Sequence, residues 1–526
     1  MRYALIALTL LFGAGCGLHP QRPDFIWLNG SEPETIDPHI ITGQPEGRLA
    51  EGLFEGLCAH DPKTSAAIPG AAQKWDVSAD KRTYTFHLRP GLRWSNGDPL
   101  TAEDFVWSWK RALEPATAAD YAYQLYYVVN AKGYNEGTLK DFKQVGVRAL
   151  DPLTLEVRLE HPTPFFLDLA ANPILYPVHR ATLERHGDDW VKPQFFVGNG
   201  PYRLKEWRLN AYLDLEKNPY YWDAANVQLP WLRALPAKTA FTAFSIYQTG
   251  GADLILDKGL VPTALLDELK TRPDFHSATF LGTFFYRFNV KRKPFDDPRV
   301  RKALALCINR ELLVQKITKA GEQPAYGFVP PGIPGYAPAR GPGYDPELGR
   351  KLLAQAGFPG GRGFPSFSIL FNTAEVNQDI GVEIQRMWKQ ELGIDCLLQN
   401  QDWKVYLNSQ AQLDYDVSRS SWVGDYNDPN TFLDMFMTDN GNNRTGYSDP
   451  KYDAMIEEAN RTTDEKSRFA LFQKAEAYLL NDGAPIVPIY YYVGINFFDP
   501  KRWDGLYGNV LDVHPLKAIR RRGSAR

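Results

Sequence analysis

The order of strand and helix patterns is the feature that most constrains how this chain folds. Strand-like alternation and helix-like periodicity follow one another irregularly along 526 residues, without an internal repeat. A chain of this length exceeds one hydrophobic core, and about 150 residues per domain predicts roughly three domains. Irregular alternation favours a mixed α/β fold with domains inserted into one another, rather than a solenoid or a single barrel.

Three segments give local predictions within that pattern. Residues 83–88, TYTFHL, alternate between polar and apolar and predict a strand. Thr101 and Asp104 have the spacing of a capping box, and they open a predicted helix that ends before Pro115. The segment DPRVRKALALCINRELLVQKI, which begins at Asp297, carries apolar residues at helical spacing and predicts one further helix. We expect these elements to pack the cores.

The first sixteen residues, MRYALIALTLLFGAGC, predict an export signal. Arg2 precedes an apolar stretch that is too short to span a membrane as a mature helix, and small residues lead to Cys16. The ending GAGC resembles a bacterial lipobox, in which Cys16 is lipidated and becomes the mature N-terminus, although Gly13 stands where leucine is usual. The alternative is cleavage by the ordinary signal peptidase with Cys16 unmodified. We expect the remainder to be soluble outside the cytoplasm.

Composition and motifs argue against several classes of function. Lysine and arginine total 59 against 62 acidic residues, so a net charge of −3 gives no basis for nucleic-acid binding. Besides Cys16, the chain has Cys58, Cys307 and Cys396, whose spacing predicts buried thiols rather than a disulfide framework or a zinc site. No G-x-S-x-G, H-E-x-x-H, Walker or C-x-x-C motif occurs. We therefore expect no cofactor and no metal, and an exported hydrolase is kept as an alternative.

The segment RSSWVGDYNDP, residues 419–429, concentrates charged and aromatic residues in one predicted loop. Upstream, the alternating residues 413–417 predict a strand that leads to Arg419. Downstream, Asn430 or Thr431 is predicted to cap a short helix. A strand, loop and helix in this order would present the loop at the mouth of a scaffold.

Two aspartates in this loop have two possible roles. At the mouth of a scaffold, the carboxylate of Asp425 is well placed to meet a cation. The alternative is that Asp425 and Asp428 only form turns, since aspartate is favoured in turns for local reasons.

Several long motifs together resemble one known family. In chain order they are NGSEPETIDPH, LFEGL, KWDVSADKRTYTFHLRPGLRWSNGDPLTAEDFVWSWKRALEP, GNGPYRLKEWRLNAYLDLEKNPYYW, PFDDPRVRKALALCINRELL, SWVGDYNDP and APIVPIYYYV. They are similar to the extracytoplasmic oligopeptide-binding proteins of ABC importers, over about residues 27–507. The resemblance implies an α/β fold of the periplasmic-binding-protein type II-like class, cluster C. It further implies three domains in two lobes with a ligand cleft between the lobes.

The resemblance also implies domain limits. Residues 1–16 form the signal peptide. A discontinuous domain I comprises 17–54, 180–281 and 493–526, domain II is the insertion 55–179, and domain III covers 282–492. Lobes of this class close about a hinge and enclose the ligand.

The site residues are likewise implied by the resemblance. Relatives bind the peptide extended between main-chain segments, which correspond here to 42–44 and 421–423. Asp425 would pair with the ligand's terminal ammonium, and Arg419 would meet its carboxylate. Trp422 would supply an apolar wall, and Tyr121 would approach from the inserted domain. The residues implied to line the site are Thr42, Gln44, Tyr121, Asn377, Gln410, Arg419, Ser421, Trp422, Val423 and Asp425.

Five positions depart from the family pattern. Gln410 replaces a second arginine, Asn377 replaces a histidine and Thr42 replaces an acid, while Gly282 and Val423 replace a cysteine pair. These replacements leave fewer cationic groups near the ligand's carboxyl end, so the preferred peptide length is left open. The loss of these groups is also compatible with a different ligand.

The function that these observations predict is capture of short peptides for an ABC permease, without catalysis. We expect a monomer that is attached to the membrane through the lipid on Cys16. An alternative within the same fold is a receptor for a dedicated solute, such as a murein peptide, glutathione or a nickel chelate. Outside this class, an exported hydrolase and a chaperone or adhesin are the alternatives.

Overall fold

The computed structural model describes residues 22–523, so the predicted export signal and Cys16 lie outside the described residues. The strands are β1 (Phe25–Gly30), β2 (Cys58–His60), β3 (Ala67–Pro69), β4 (Ala72–Val77), β5 (Thr83–Leu88), β6 (Val147–Asp151), β7 (Thr154–Arg158), β8 (Tyr202–Arg208), β9 (Tyr212–Lys217), β10 (Trp231–Pro236), β11 (Leu254–Ile255), β12 (Phe275–Phe288), β13 (Gln323–Pro324), β14 (Ser368–Asn372), β15 (Leu397–Gln401), β16 (Val417–Val423), β17 (Ile486–Phe498), β18 (Trp503–Asp504) and β19 (Arg520–Arg521).

The α-helices are α1 (Gln44–Leu53), α2 (Ala102–Leu113), α3 (Ala131–Asn135), α4 (Phe166–Leu169), α5 (Arg180–His186), α6 (Ala240–Gln248), α7 (Leu266–Leu269), α8 (Pro298–Leu306), α9 (Arg310–Leu313), α10 (Pro346–Gln355), α11 (Glu375–Leu392), α12 (Trp403–Ala411), α13 (Asn430–Leu433), α14 (Pro450–Arg461) and α15 (Glu465–Tyr478). Among the described residues, no helix has both the length and the hydrophobicity to cross a membrane.

One large sheet runs through the molecule. Its strand order is β15-β14-β16-β12-β17-β11-β1-β10-β9-β8, and β13 adds to β17. The antiparallel pair β12 and β17 lies in the middle, with 14 and 13 residues. Their pairing shifts register between Thr279 and Thr283. The domain limits proposed at 281/282 and 492/493 fall within these two strands, so the two lobes would be joined through them.

Smaller elements build a separate core from the inserted segment. The antiparallel sheet β4-β5-β7-β6 packs against α2 around the buried side chains of Phe86, Trp94 and Trp109. Its core also includes Tyr426, which comes from the loop after β16 and stacks on Phe165 with ring centroids 4.3 Å apart. The inserted segment is therefore packed against the loop that follows β16.

Several local predictions are confirmed. Strand β5 occupies the predicted residues 83–88. The capping box forms, with the Thr101 N–H donating to Asp104 Oδ2 at 2.7 Å, and α2 ends at Leu113 before Pro115. The three described cysteines are free and buried, and Cys396 lies directly before β15.

Three boundary predictions are wrong. The helix predicted from Asp297 breaks after α8, because Asn309 caps α9 by accepting the Leu312 N–H at 2.9 Å. Residues 413–416 are not a strand, since Leu413 has a φ of +53° and β16 begins only at Val417. Strand β16 therefore includes the first five residues of the predicted loop.

The helix after the loop also begins differently from the prediction. Helix α13 starts at Asn430 after Pro429, and neither Asn430 nor Thr431 caps it. The Asn430 amide instead donates to Tyr426 Oη at 3.0 Å, and Thr431 Oγ1 accepts the N–H of Asp425 at 3.0 Å. Both polar side chains are thus engaged by tertiary contacts rather than by the helix end.

Candidate binding site

A cavity of about 370 Å³ lies against the open edge of β16. Residues from 30–51 and 237–266 line one side, and residues from 372–377 and 403–425 line the other. All ten residues that the sequence implied line this one cavity: Thr42, Gln44, Tyr121, Asn377, Gln410, Arg419, Ser421, Trp422, Val423 and Asp425.

The edge of β16 that faces the cavity is only partly paired. Strand β12 covers one edge of β16 along its whole length. On the other edge β14 pairs only with Val417 and Ser418. Beyond Ser418, no other strand of residues 22–523 pairs with this edge. An open strand edge offers main-chain donors and acceptors to any extended chain that lies beside it.

The alternation of main-chain groups identifies which residues face the open edge. The carbonyl of Arg419 accepts from Gln410 Nε2 at 2.9 Å, on the side away from β12. The N–H of Gly424 donates to a β12 carbonyl at 2.7 Å on the opposite side. Because alternate residues of a strand direct their N–H and C=O groups to the same edge, Ser421 and Val423 present theirs to the cavity.

The facing wall includes Thr42 and Gly43, which precede α1, and Gln44, the first residue of α1. Gly43 lies so close to α12 that an added Cβ would come within 2.9 Å of a Trp403 ring carbon. Trp403 Nε1 donates to Glu46 Oε1 at 3.3 Å, and Lys238 pairs with Asp402 at 3.3 Å. These contacts hold the two walls together on one side of the cavity.

Asp425 reaches the cavity from the loop after β16 and has neutral partners. Gln124 Nε2 donates to Asp425 Oδ2 at 2.8 Å, and Thr431 Oγ1 lies 3.3 Å from the same oxygen. Burial raises the pKa of Asp425 to about 7, and hydrogen bonds from Thr431, Gln124 and Asn172 offset this only in part. Within residues 22–523, no lysine, arginine or histidine forms an ion pair with Asp425. A cation supplied by a ligand would complete this site.

Arg419 has the opposite charge and the same kind of neutral surroundings. Its guanidinium donates to Asn372 Oδ1 and to Tyr492 Oη, each at 3.0 Å. Its Nε is buried without a hydrogen-bond partner among the described groups. The ring of Phe284 lies 4.8 Å from the guanidinium carbon. No carboxylate of the described chain pairs with Arg419, so an anion from a ligand could be bound here.

Gln410 and Asn377 line the cavity but use their amides within the protein. Gln410 Nε2 contacts Tyr406 Oη, Ser418 Oγ and the Arg419 carbonyl at 2.8 to 2.9 Å. Asn377 Nδ2 donates to the carbonyl oxygen and to Oδ1 of Asn372 at 3.0 and 3.1 Å. These contacts hold the segments that carry Arg419 and its partner Asn372.

Tyr121 and Trp422 form an aromatic wall beside Asp425. Their rings stack with centroids 5.9 Å apart and an interplanar angle of 19°. Trp422 Nε1 donates to the Thr431 carbonyl at 2.7 Å, which fixes the indole. Such a wall supplies apolar contact area without requiring a particular ligand side chain.

Three residues that position the charged groups were missed from the sequence: Gln124, Asn372 and Tyr492. Gln124 is 301 residues from its partner Asp425, and Tyr492 is 73 residues from Arg419. Tyr492 carried a signal, since it lies in the quoted motif APIVPIYYYV. In the part of the chain that the structure describes, no group of three or more His, Cys, Asp or Glu could hold a metal ion.

A family model now identifies the chain. Residues 66–444 match the model described as bacterial extracellular solute-binding proteins, family 5 Middle. The chain belongs to this family. Among the relatives of this family 5 protein is the periplasmic oligopeptide-binding protein OppA of Salmonella typhimurium. It is 37% identical over 489 residues, which cover 91% of this chain and 88% of the relative.

Solved structures of the family agree in fold. A periplasmic oligopeptide-binding protein of Borrelia burgdorferi, OppAIV, aligns with a TM-score of 0.91 at 34% identity, over 94% of this chain and 99% of its own. The murein tripeptide binding protein MppA of Escherichia coli aligns with a TM-score of 0.90 at 34% identity, over 94% and 98%. The type of fold implied by the resemblance is thereby confirmed.

A second MppA structure bears on the arrangement of the lobes. MppA in an unliganded open form has the same 34% identity and 94% coverage of this chain, but its TM-score is only 0.63. The lobes of the family 5 protein are therefore arranged differently from that open form. The contacts of Trp403 with Glu46 and of Lys238 with Asp402 are consistent with a closed cleft.

Proposed function

We propose that this family 5 protein captures short peptides in an extended conformation and delivers them to an ABC transporter. One observation carries the proposal: Asp425 and Arg419, which lack charged partners within the described chain, lie at opposite ends of an open strand edge. A peptide has a terminal ammonium, a terminal carboxylate and main-chain groups between them. Each of these groups has a complement in the cavity.

The charges of Asp425 and Arg419 would set the direction of the ligand. The ammonium would meet Asp425, which follows β16, and the carboxylate would meet Arg419, which lies near the start of β16. The ligand would therefore run antiparallel to β16, with hydrogen bonds to Ser421 and Val423. Such main-chain bonds are common to all peptide sequences, so side chains would be selected only by the pockets on either face.

The length of the open edge between the charged groups limits the ligand's length. At about 3.3 Å per residue, the four-residue step from Arg419 to Val423, which is the last residue of β16 and lies two residues before Asp425, spans roughly 13 Å. An extended ligand of three or four residues spans roughly 10–14 Å. Peptides of this size would satisfy both charges at once, and longer ones would have to extend past Arg419.

The remaining parts of the proposal concern location and assembly. Relatives such as Salmonella OppA are periplasmic, and the predicted lipid on Cys16 would tether this chain to the membrane. We further propose that the protein acts as a monomer and has no catalytic activity, since its charged groups fit the two ends of a ligand rather than a scissile bond.

A receptor for one defined peptide is the second candidate. It is supported by the TM-score of 0.90 to a protein described as binding murein tripeptide. The replacement of family cations by Gln410 and Asn377 also fits a ligand other than general peptides.

Mass spectrometry of ligands released from the protein, purified from its native host, tests the proposal. A mixture of peptides of about three or four residues with varied sequences is the expected result, because the main-chain contacts do not select sequence. A single defined peptide would favour the second candidate. A nonpeptide compound, together with no binding of added tripeptides, would contradict the proposed function.

A further inference from the structure

A second set of cationic side chains lines the cavity, on the face of β16 that carries Trp422. Residues that pair directly across an antiparallel ladder share a face, so Thr283, Phe285 and Arg287 of β12 lie on the same side as Trp422 and Ser420. Arg287 confirms this, since its Nε donates to Ser420 Oγ at 3.0 Å. Arg419, two residues from Ser421, lies on the other face.

The charge of Arg287 is buried and lacks an anionic partner among the described residues. Arg287 is 3% exposed, and its other contacts are the Asn442 carbonyl at 2.9 Å and the Met435 thioether at 3.8 Å. A thioether is a weak acceptor. Burial, with a smaller contribution from the nearby charge of Arg444, lowers the pKa of Arg287 to about 10. The surroundings of this guanidinium therefore contain too few strong hydrogen-bond acceptors for its N–H groups.

Arg444 extends the same donor-rich region. It pairs with Asp120, while its Nε is buried without a hydrogen-bond partner in the described part of the chain. Asp120 balances one of the two guanidinium charges, which leaves one positive charge at this end of the cavity. Buried donors and a net positive charge would both be satisfied by a carboxylate.

The register of the ligand decides which side chain would supply that carboxylate. If the first residue's ammonium reaches Asp425, the second ligand residue pairs with Val423, whose main-chain groups face the open edge. The third then lies opposite Trp422 and points to the Trp422 face. Along β16, Ser420, which contacts Arg287, and Asp425 lie on opposite sides of Trp422. A side chain at the third ligand position can therefore reach Arg287, whereas the first ligand residue lies beside Asp425.

We infer that this binding site takes an acidic side chain at the third position of its ligand, in a pocket formed by Arg287 and Arg444. Tyr121, Ser420, Trp422 and Asn442 complete the walls. The inference rests on the proposed function, because it takes its register from a peptide ammonium at Asp425. It narrows the ligand class to short peptides with aspartate or glutamate, or another carboxylate-bearing residue, at that position.

Matched peptides test the inference on the full chain. Ala-Ala-Glu-Ala and Ala-Ala-Gln-Ala differ only by charge at the third position, and calorimetry gives the affinity of each. Hydrogen bonds to a charged group predict roughly 10- to 100-fold tighter binding of the Glu peptide. Ala-Glu-Ala-Ala against Ala-Gln-Ala-Ala should show no such preference, because the second side chain points to the other face.

A variant links the preference to the proposed pocket. In Arg287→Met the preference for Glu should disappear, while Ala-Ala-Gln-Ala still binds, because methionine fits beside Phe285 and Met435. Arg287→Lys keeps the charge and should retain part of the preference. Equal affinities of the two peptides for the wild type would overturn the inference, as would an unchanged preference in Arg287→Met.

The failures of the two proposals are distinguishable. If both peptides bind equally well, peptide capture stands and only the acidic pocket is refuted. If neither binds to folded protein freed of co-purified ligand, peptide capture fails, and the inference that takes its register from it fails too.

Discussion

Asp425 and Asp428 lie three residues apart in the same loop, yet their charges are balanced in opposite ways. Asp428 forms two parallel ion-pair contacts with Arg468, at 2.6 and 2.8 Å, and both side chains are buried. Asp425 is contacted only by neutral groups, and its pKa is raised to about 7 by burial. The carboxylate of Asp428 is balanced within the chain, whereas that of Asp425 is not.

The two arginines repeat this contrast. Arg468 has a carboxylate partner, whereas Arg419 donates to an amide oxygen and a phenol hydroxyl. A carboxylate with an internal cation stabilises a fold, and one with only neutral donors is ready for a cation from outside. Turn composition predicts the same role for both aspartates, and only the tertiary charge balance separates them.

The largest expected effect is on stability, from loss of the internal pair. Asp428→Asn leaves the Arg468 guanidinium buried without an anion, which should lower the free energy of unfolding by about 3–5 kcal/mol. Urea denaturation measures this change, with Asp425→Asn as the matched variant in the same loop. If both variants lost equal stability, the contrast between the two aspartates would not hold.

The next effect is on binding, through Asp425. Asp425→Asn should weaken binding of a tripeptide with a free amino terminus by about 3 kcal/mol, or roughly 100-fold, because the ammonium loses its anion. The N-acetylated tripeptide lacks that charge, so it should bind the wild type and the variant with similar affinity. Calorimetry with both peptides checks this, and equal losses for both would remove the role assigned to Asp425.

A smaller loss is expected at the other end of the ligand. Arg419→Met should weaken binding of a tripeptide with a free carboxylate by about 2 kcal/mol, the value of a hydrogen-bonded charge contact. The C-terminal amide of the same peptide is the control and should be much less sensitive. A variant that affects acid and amide equally would place the carboxylate elsewhere.

The smallest expected effect is a gain in stability of the ligand-free protein. The folded-state pKa of Asp425, about 7, exceeds the unfolded value near 3.9, so the folded state loses stability as pH rises from about 4 through 7. Asp425→Asn removes this penalty and should stabilise the protein at pH 8 by about 1 kcal/mol, since Asp425 is partly exposed to the cavity. Thermal denaturation should show little gain at pH 4, and an equal gain at both pH values would contradict the charge argument.

Much of the fold and of the candidate site could be predicted from the sequence. The order of motifs predicted the family, and the ten implied residues line one cavity although they are spread from Thr42 to Asp425. Local chemistry predicted strand β5 and the capping box of Thr101 with Asp104. The strand and the capping box depend on residues that are neighbours in the chain, and the family was predicted from motifs along the whole chain.

The predictions that failed, and the residues that were missed, concern features that depend on tertiary contacts. The alternation of residues 413–417 resembles a strand, but Leu413 adopts a left-handed conformation and α12 ends just before it. The neutral contacts of Asp425 come from Gln124, 301 residues away, so its raised pKa could not be predicted from the loop alone. Arg287 lay in an ordinary strand pattern, and only the register of β12 against β16 places it beside Ser420.

The most direct test of the account is the number of protons released when a tripeptide binds at pH 6. With a pKa of about 7, Asp425 is mostly protonated in the free protein at that pH, and an ammonium partner would force it to ionise. The ligand's amino group, with a pKa of roughly 7.7–8.0, is already charged and contributes no change. Calorimetry in buffers of different ionisation enthalpy should give a release of about one proton in the wild type and close to none in Asp425→Asn. Binding without proton release in the wild type, or the same release in Asp425→Asn, would contradict the account.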